Sequence, residues 1–394
     1  MPKVLRIINR FNLGGPTYNV AYLTKYMAPE YETLLIGGVN DKTEANSEFI
    51  PKSLGINPII IPEMKRTLNP VNDIIAYNKI KKIIKDFKPD IVHTHASKAG
   101  ALGRKAALSL KTPVIIHTFH GFVFDAYFGN IKSCLYKKTE HILAKKTTKI
   151  IAVSENQKQD LIYKYHICEK DKIEVIPLGF ELNKFQENMK IKRKQFRIKY
   201  KIDDNEIAIG IIGRLVPIKN HQLFIKALKY VSDNSNKKIR AFIIGDGEEN
   251  ANIKAKAKEL NINFTDYNIK PQKSILTFTS WIKDIDFVMA GMDIITLTSL
   301  NEGTPVSLIE AQAANKPIVS TNVGGIEDVV IPNQTAILSD IKNENKFLQN
   351  LLSVVEDDIL RSNLSKKGWN TVKNKFNYTR LINDMKNLYN NLLN

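Results

Sequence analysis

Two glutamates separated by seven residues stand in the segment Leu297-Thr-Ser-Leu-Asn-Glu302-Gly303-Thr304-Pro305-Val306-Ser307-Leu-Ile-Glu310. The pattern reads as a strand end, a short loop and an amphipathic helix. Thr304 is expected as the N-cap, with Pro305 at the first helical position, where its missing N–H costs nothing. The helix start then aims free backbone N–H groups, those of Val306 and Ser307 first, at the carboxyl edge of a sheet, and such an end holds phosphate. Glu302 falls in the loop and Glu310 about a turn and a half into the helix. The two carboxylates can reach opposite ends of one ligand, one contacting a sugar and the other a ribose diol. A capped surface helix with two solvated glutamates would carry the same residues, so the pair gains meaning only with partners elsewhere.

Partners exist. Ile209-Gly-Ile-Ile-Gly213-Arg214-Leu-Val-Pro-Ile-Lys219 reads as a strand followed by a loop with two cations. A guanidinium offers a planar fork and an ammonium a point charge, a combination that neutralises a diphosphate leaving group. Two exposed cations in a lysine-rich chain are the competing reading. Asn12-Leu-Gly14-Gly15-Pro-Thr-Tyr-Asn19 lies between a strand and a helix, where absent side chains let backbone approach a ligand. Its spacing is not G-x-G-x-x-G, which counts against a dehydrogenase. Gly245-Asp-Gly247 and Gly324-Gly325 similarly close strands, for turn-making or for contact with base and phosphate. His93 and His95 share a strand face, but the sequence offers no matching third ligand, so no metal is expected.

The elements that must position these residues alternate along the chain. Strand-like runs at Val4–Ile8, Glu32–Gly37, Pro58–Ile61, Asp90–His93, Val114–Thr118, Lys149–Val153 and Ile173–Ile176 are each followed by a helical stretch. The pattern restarts with Glu206–Ile212, Arg240–Ile244, Ser274–Phe278, Asp293–Thr298 and Pro317–Ser320. This is the signature of α/β folding with parallel sheets covered by helices. At 394 residues the chain exceeds what one core serves, and two domains are expected, 1–186 and 187–376. A last helix over 377–394 follows a second domain already complete and is expected to pack back on the first. Open sheets of this kind bind ligands at the carboxyl ends of their strands, so the chemistry is expected in a cleft between two facing sheets.

The Glu302–Glu310 spacing, with Gly303 after the first glutamate, resembles the signature of the retaining GT-B glycosyltransferases of family GT4. The resemblance spreads over most of the chain and is weakest in 40–85 and 186–205. It implies two Rossmann-like domains facing across a cleft. It also implies that Arg214 and Lys219 hold the donor pyrophosphate, with Glu302 orienting the sugar. The His120-Gly121 dipeptide ending a first-domain strand matches the family pattern, so His120 rather than His117 is expected to contact the sugar. The expected catalytic set is therefore His120, Arg214, Lys219 and Glu302. Donor binding would fall to Gly15, Gly213, Gly245, Gly303, Thr304, Val306, Ser307 and Glu310, without a metal or other cofactor. Thr304 stands where the family often has a bulkier residue. The stretches His93–Arg104 and His117–Phe124 look most like the branch that builds bacterial capsule and lipid-linked glycans. The implied activity is transfer of a hexose or N-acetylhexosamine from a nucleotide sugar, UDP-linked, to a lipid-linked glycan. A UDP-sugar epimerase sharing the fold and a non-catalytic membrane-docked scaffold are the alternatives.

Charge bears on the partner. Lys+Arg number 58 against 40 Asp+Glu, a formal net charge of +18. The aromatics Phe122, Phe124, Tyr127 and Phe128 precede Lys132, Lys137, Lys138, Lys145, Lys146 and Lys149, and Lys79, Lys81, Lys82, Lys85 and Lys88 add to them. Aromatic side chains beside a polybasic face suit an anionic membrane surface, although solvated lysine faces would look the same. No zinc finger, RRM or basic helix supports nucleic acid as the partner. Met1–Arg10 reads as a first buried strand, not a signal peptide, and two cysteines fit a reducing compartment. A cytoplasmic protein is expected, peripheral if it meets a membrane.

Overall fold

The computed structural model describes residues 1–11, 14–39, 47–65, 67, 69–121 and 130–394, with side chains in the last stretch from Ser133 onward. The chain forms two units. Unit one is Met1–Phe180 with Phe376–Asn394, and unit two is Glu181–Lys375.

Unit one is built on a parallel seven-stranded sheet: β1 (Lys3–Arg10), β2 (Glu32–Gly38), β3 (Ile59–Ile61), β4 (Ile91–His95), β5 (Val114–Phe119), β6 (Lys149–Ala152) and β7 (Ile173–Val175). Their spatial order is β3-β2-β1-β4-β5-β6-β7. The strands are near-continuous aliphatic runs because both faces are covered. Alternate residues serve the two sides. Val4, Ile91, Val114, Ile116 and Ile151 face Leu23 and Met27 of helix Gly15–Tyr26, together with Leu381, Ile382, Met385 and Leu388 of the last helix, Tyr378–Leu393. Leu5, Ile7, Val92 and Ile115 face Ala76, Ile80 and Ile84 of helix Pro70–Phe87 and Ala99, Ala106 and Ala107 of helix Ser97–Ser109.

The last helix is tied to unit one by backbone as well as by apolar contact. Phe180 N–H donates to Phe376 C=O at 2.8 Å and Tyr378 N–H to Phe180 C=O at 3.1 Å. The Arg380 guanidinium donates to the carbonyls of Pro177 and Leu178 at 2.7 and 2.8 Å. Glu181 begins unit two, whose helix Met189–Lys199 is held by Arg193 and Arg197 on Asp293.

Unit two repeats the plan with β8 (Glu206–Ile212), β9 (Lys238–Ile244), β10 (Phe264–Asp266), β11 (Leu276–Phe278), β12 (Ile294–Leu297), β13 (Ile318–Asn322) and β14 (Ala336–Asp340), in the order β10-β11-β9-β8-β12-β13-β14. The expected α/β class with two doubly wound sheets is what the chain adopts. Two strands, β10 and β14, are additions to the sequence reading. Both are edge strands. β10 is only Phe-Thr-Asp, too short for any periodicity, and takes its pairing from β11 in the register Phe264↔Leu276. β14 owes its extension to β13, from Ile318↔Ala336 to Asn322↔Asp340.

Strand order matters for function. In unit two the chain leaves β8 toward β9 and later crosses back to lay β12 on the other side of β8. In unit one it likewise leaves β1 toward β2 and returns to β4. Each reversal opens a crevice at the carboxyl ends of the two diverging strands.

Candidate active site

At the reversal of unit two the loops after β8 and β12 are stitched together. Leu300 N–H donates to Ile218 C=O at 2.8 Å, and Thr298 Oγ1 donates to Lys219 C=O at 2.9 Å. Lys219 ends a single 3-10 turn, Pro217–Lys219, stopped by left-handed Asn220 at φ 48°. Its ammonium thereby reaches Glu302 Oε1 at 2.5 Å, and Ser299 Oγ donates to the same oxygen at 2.5 Å. The Glu302 side chain is 9% exposed and that of Lys219 22%, so the pair is shielded enough for its charges to be felt. Among the described residues, Oε2 of Glu302 has no recorded hydrogen bond and is left for a further donor.

The loop bearing Glu302 is pressed from below. Gly324, at φ 54°, and Gly325 run so close to it that a Cβ at either would overlap the carbonyl oxygens of Glu302 and Gly303 respectively. Gly325 N–H donates to Glu302 C=O at 3.1 Å. On the other flank, Gly213 N–H bonds Ile244 C=O at 3.0 Å, and Gly245, at φ 147°, lies against the Gly213 carbonyl. The structure thus joins Gly213, Gly245, Lys219, Glu302 and Gly303 on one sheet edge. Arg214 follows Gly213 directly and is half-buried.

The helix after Glu302 spans Val306–Ala313, and here the sequence reading is corrected by one position. Pro305, extended at φ −73° and ψ 98°, occupies the N-cap, and Thr304 makes no capping bond. The reason is that the Pro305 carbonyl already accepts from Leu308 N–H at 3.1 Å and Ile309 N–H at 3.3 Å. Val306 and Ser307 remain the first two helical N–H groups, without intrahelical acceptors. Glu310 lies on this helix, and no hydrogen bond or ion pair of its carboxylate is recorded among the described residues. Desolvation pushes its pKa up to about 7, against a nearby Lys184 that favours the charged form.

Unit one holds the remaining expected residues. Gly15 opens helix Gly15–Tyr26, whose N-terminus has no side-chain cap and Pro16 in its first turn; Asn12 and Leu13 of this loop lie outside the described residues. His120 follows β5 and is paired with His95, the last residue of β4, Nε2 to Nδ1 at 3.0 Å. Burial holds His120 at a pKa of about 3, a neutral imidazole. His117 is packed inside, with Nδ1 on Thr94 Oγ1 at 2.8 Å. The aromatics Phe122, Phe124, Tyr127 and Phe128 and the Lys132 side chain lie outside the described residues. Among the basic residues that are described, Lys79 is ion-paired to Glu63 at 2.7 Å and Lys137 sits over the Tyr165 ring at 5.0 Å.

Some participants escape the sequence. Ser299 is an ordinary serine until β12 ends and turns its hydroxyl onto Glu302. A buried network in unit one joins Tyr389 to His93 Nδ1 at 2.6 Å and Thr118 to His93 Nε2 at 2.7 Å, with the fully buried Arg6 guanidinium over the Tyr389 ring at 5.9 Å. His93 and Tyr389 are 296 positions apart, a separation no local pattern could have bridged. Among the described residues, no group of three or more His, Cys, Asp or Glu side chains could hold a metal ion. No helix there is long and apolar enough to cross a membrane.

Comparison with known proteins agrees with this geometry. Residues 13–184 match the family described as Glycosyltransferase Family 4, and residues 192–371 match Glycosyl transferases group 1. The chain is 31% identical over 339 residues to the UDP-Gal:alpha-D-GlcNAc-diphosphoundecaprenol alpha-1,3-galactosyltransferase of Escherichia coli, covering 85% of this chain and 84% of that one. It is 26% identical to the capsular polysaccharide biosynthesis glycosyltransferase CapM of Staphylococcus aureus, over 85% of each chain. A crystal structure of a glycosyltransferase from Rickettsia africae superposes with a TM-score of 0.78 at 23% identity, covering 100% of this chain and 98% of that one. Twin doubly wound sheets, a family match in both halves and an extended identity to a galactosyltransferase make the chain a GT-B glycosyltransferase of family 4.

Proposed function

We propose that this glycosyltransferase moves a hexose or N-acetylhexosamine from a UDP-sugar to a hydroxyl of a lipid-linked glycan, retaining anomeric configuration, in the assembly of a bacterial surface polysaccharide at the cytoplasmic face of the membrane. The observation that carries the reading is the shielded Lys219–Glu302 pair at the sheet reversal, one loop away from the open start of helix Val306–Ala313. In the transfer, the bond from sugar C1 to the β-phosphate oxygen breaks and charge develops on the departing diphosphate. Lys219 and Arg214 neutralise that charge, and the N–H groups of Val306 and Ser307 add fixed dipoles. Positive charge supplied by side chains does the work of a divalent ion, so no metal or other cofactor is required.

Glu302 suits an orienting role. One of its oxygens already accepts from Lys219 and Ser299, which holds the carboxylate still and leaves Oε2 to receive a sugar hydroxyl. Glu310 takes the ribose diol, and Gly213, Gly245, Gly303 and Thr304 line the donor without obstructing it. Gly15 and His120 are the first unit's contribution to substrate binding. The choice of UDP and of a lipid-diphosphate acceptor is supported by the Escherichia coli relative, whose name specifies both. A membrane-facing acceptor is also supported by exposed Val71 and Ile74 on helix Pro70–Phe87 and exposed Leu135 and Ile142 on helix Asn130–Lys146, both lysine-rich.

The test is calorimetric titration with UDP, GDP and ADP without added metal, followed by transfer assays from UDP-sugars to lipid-linked acceptors. Selective UDP binding that disappears in Lys219→Ala, and a product whose anomeric proton coupling matches the donor's, are the expected results. Absence of binding to all three nucleotides defeats the reading. Conversion of the sugar nucleotide without any acceptor would instead make the protein an epimerase.

A further inference from the structure

Helix Met189–Lys199 of unit two is apolar on two opposite sides. Its inner side presents Phe196, which packs with the following Tyr200 against Phe242 of β9 at ring-centroid distances of 5.6 and 5.5 Å. At about 100° per residue, Ile191 and Ile198 fall together on the far side of the helix, one heptad apart. They are 58% and 67% exposed. The cations of the segment divide in the same way. Lys192 pairs with Asp286 at 2.8 Å, and Arg193 and Arg197 pair with Asp293 at 2.7 and 3.2 Å, so these three belong to the body of unit two. Lys190, Lys194 and Lys201 are exposed and, among the described residues, in no recorded ion pair. A groove of about 540 Å³ beside these lysines is also lined by Ile198, Asp203 and Asp204, and Asp203 is already taken by Lys273 at 2.6 Å.

A helix on a folded surface keeps one apolar stripe and turns it inward. Isoleucine is a poor outer residue, since its branched side chain loses rotamer freedom in a helix and gains nothing from water. Single exposed aliphatics are commonplace on protein surfaces. A pair one heptad apart, edged by three lysines without carboxylate partners, is instead the arrangement by which a helix lies in a membrane interface, its cations at the headgroups and its aliphatics at the acyl boundary. Other occupants fit less well. A second copy carries the same net charge of +18 and would be repelled from this face. A nucleic acid would use the lysines and leave both isoleucines in water.

We propose that the outer face of helix Met189–Lys199 is a membrane-docking surface of unit two, with Ile191 and Ile198 entering the interface and Lys190, Lys194 and Lys201 meeting anionic lipid headgroups. This contact is separate from the one proposed for unit one. It rests on the proposed function only for its purpose, which is to hold the donor-binding unit at the surface where a lipid-linked acceptor lies. Attachment to lipid does not depend on that reading.

Flotation of the full chain, without nucleotide, on phosphatidylcholine vesicles with and without phosphatidylglycerol tests the surface. Ile191→Ser with Ile198→Ser is expected to lower recovery on the anionic vesicles about three- to tenfold. Lys190→Gln with Lys194→Gln and Lys201→Gln should lower it about 10- to 100-fold, and both variants should keep wild-type UDP affinity. Fluorescence reads the position. Ile198→Trp should gain an emission that brominated phosphatidylglycerol quenches. Ile359→Trp should gain one that it does not quench: Ile359 is 75% exposed on helix Asp358–Ser365, which packs through Leu364 on the β9 face of Ala241 and Ile243, opposite to Phe242. Equal recovery of wild type on neutral and anionic vesicles, recovery of either variant equal to wild type, or absence of quenching in Ile198→Trp overturns the proposal. A lysine variant that floats like wild type but no longer retards duplex DNA would reassign the face to nucleic acid. Failure of wild type to bind UDP, with the lipid results as expected, would strike the proposed function and leave this surface standing.

Discussion

Lys219 and Glu302 are 83 positions apart in the chain and 2.5 Å apart in space, joined because β8 and β12 are neighbours at the reversal of the second sheet. Each side chain holds the other in place, and in the proposed transfer they serve the diphosphate and the sugar. Removing one leaves the other shielded and unpaired, so the pair should behave as a unit. Lys219→Ala and Glu302→Gln are each expected to lower kcat/KM by about 10²- to 10³-fold, with the double variant little worse than either single one. Urea unfolding of the same set should show a coupling of about 1–3 kcal/mol. Fully additive losses in rate would mean that the two residues act separately.

Glu310 makes a pH dependence. Its pKa is raised to about 7 by burial, so the folded state binds a proton that the unfolded chain releases near pH 4.5. The stability that goes with this proton is present below about pH 4.5 and is lost as pH rises through about 7. Glu310→Gln, which cannot ionise, should therefore gain stability relative to wild type between those values and hold the gain above them. Nucleotide binding should move the opposite way, because the carboxylate is the better acceptor for a ribose diol. UDP affinity of the wild type is expected to rise through pH 7, and Glu310→Gln should bind about 10- to 100-fold more weakly at pH 8 with a flat profile. Calorimetry at several pH values reads both.

Gly324 tests how tightly the Glu302 loop is seated. Its φ of 54° disfavours a side chain, and an added Cβ would overlap the Glu302 carbonyl oxygen. Gly324→Ala is expected to cost roughly 1–3 kcal/mol and to reduce transfer more than its loss of stability accounts for, since the carboxylate is displaced with its backbone. Urea titration and steady-state kinetics on one preparation separate the two effects.

The exposed aliphatic side chains Val71 and Ile74 of unit one test the proposed membrane contact. Val71→Glu with Ile74→Glu should reduce flotation with vesicles containing anionic lipid several-fold and leave UDP affinity untouched. High salt should release the wild type, because exposed lysines act through a screened field. Equal recovery of wild type on neutral and anionic vesicles at low salt would count against an electrostatic attachment.

Much of this protein is written locally. Runs such as Ala208–Ile212 and Ile91–His95 are buried on both faces, and only strands of a covered parallel sheet need such continuity, so the α/β class followed from composition and period. Residues placed just after those runs had to fall on carboxyl edges, which made Gly213, Lys219 and Glu302 legible as site candidates, whereas the choice of His120 came from the resemblance to family GT4. Strand order was not legible, since it is set by which crossovers pack best over the whole sheet. Only the folded chain brings Ser299 and Lys219 onto one carboxylate oxygen, sets Tyr389 of the last helix on His93, and turns His95 toward His120. The Pro305 cap and the edge strands β10 and β14 belong to the same class, because each depends on a hydrogen-bond partner supplied by the finished neighbourhood and not by the residues themselves.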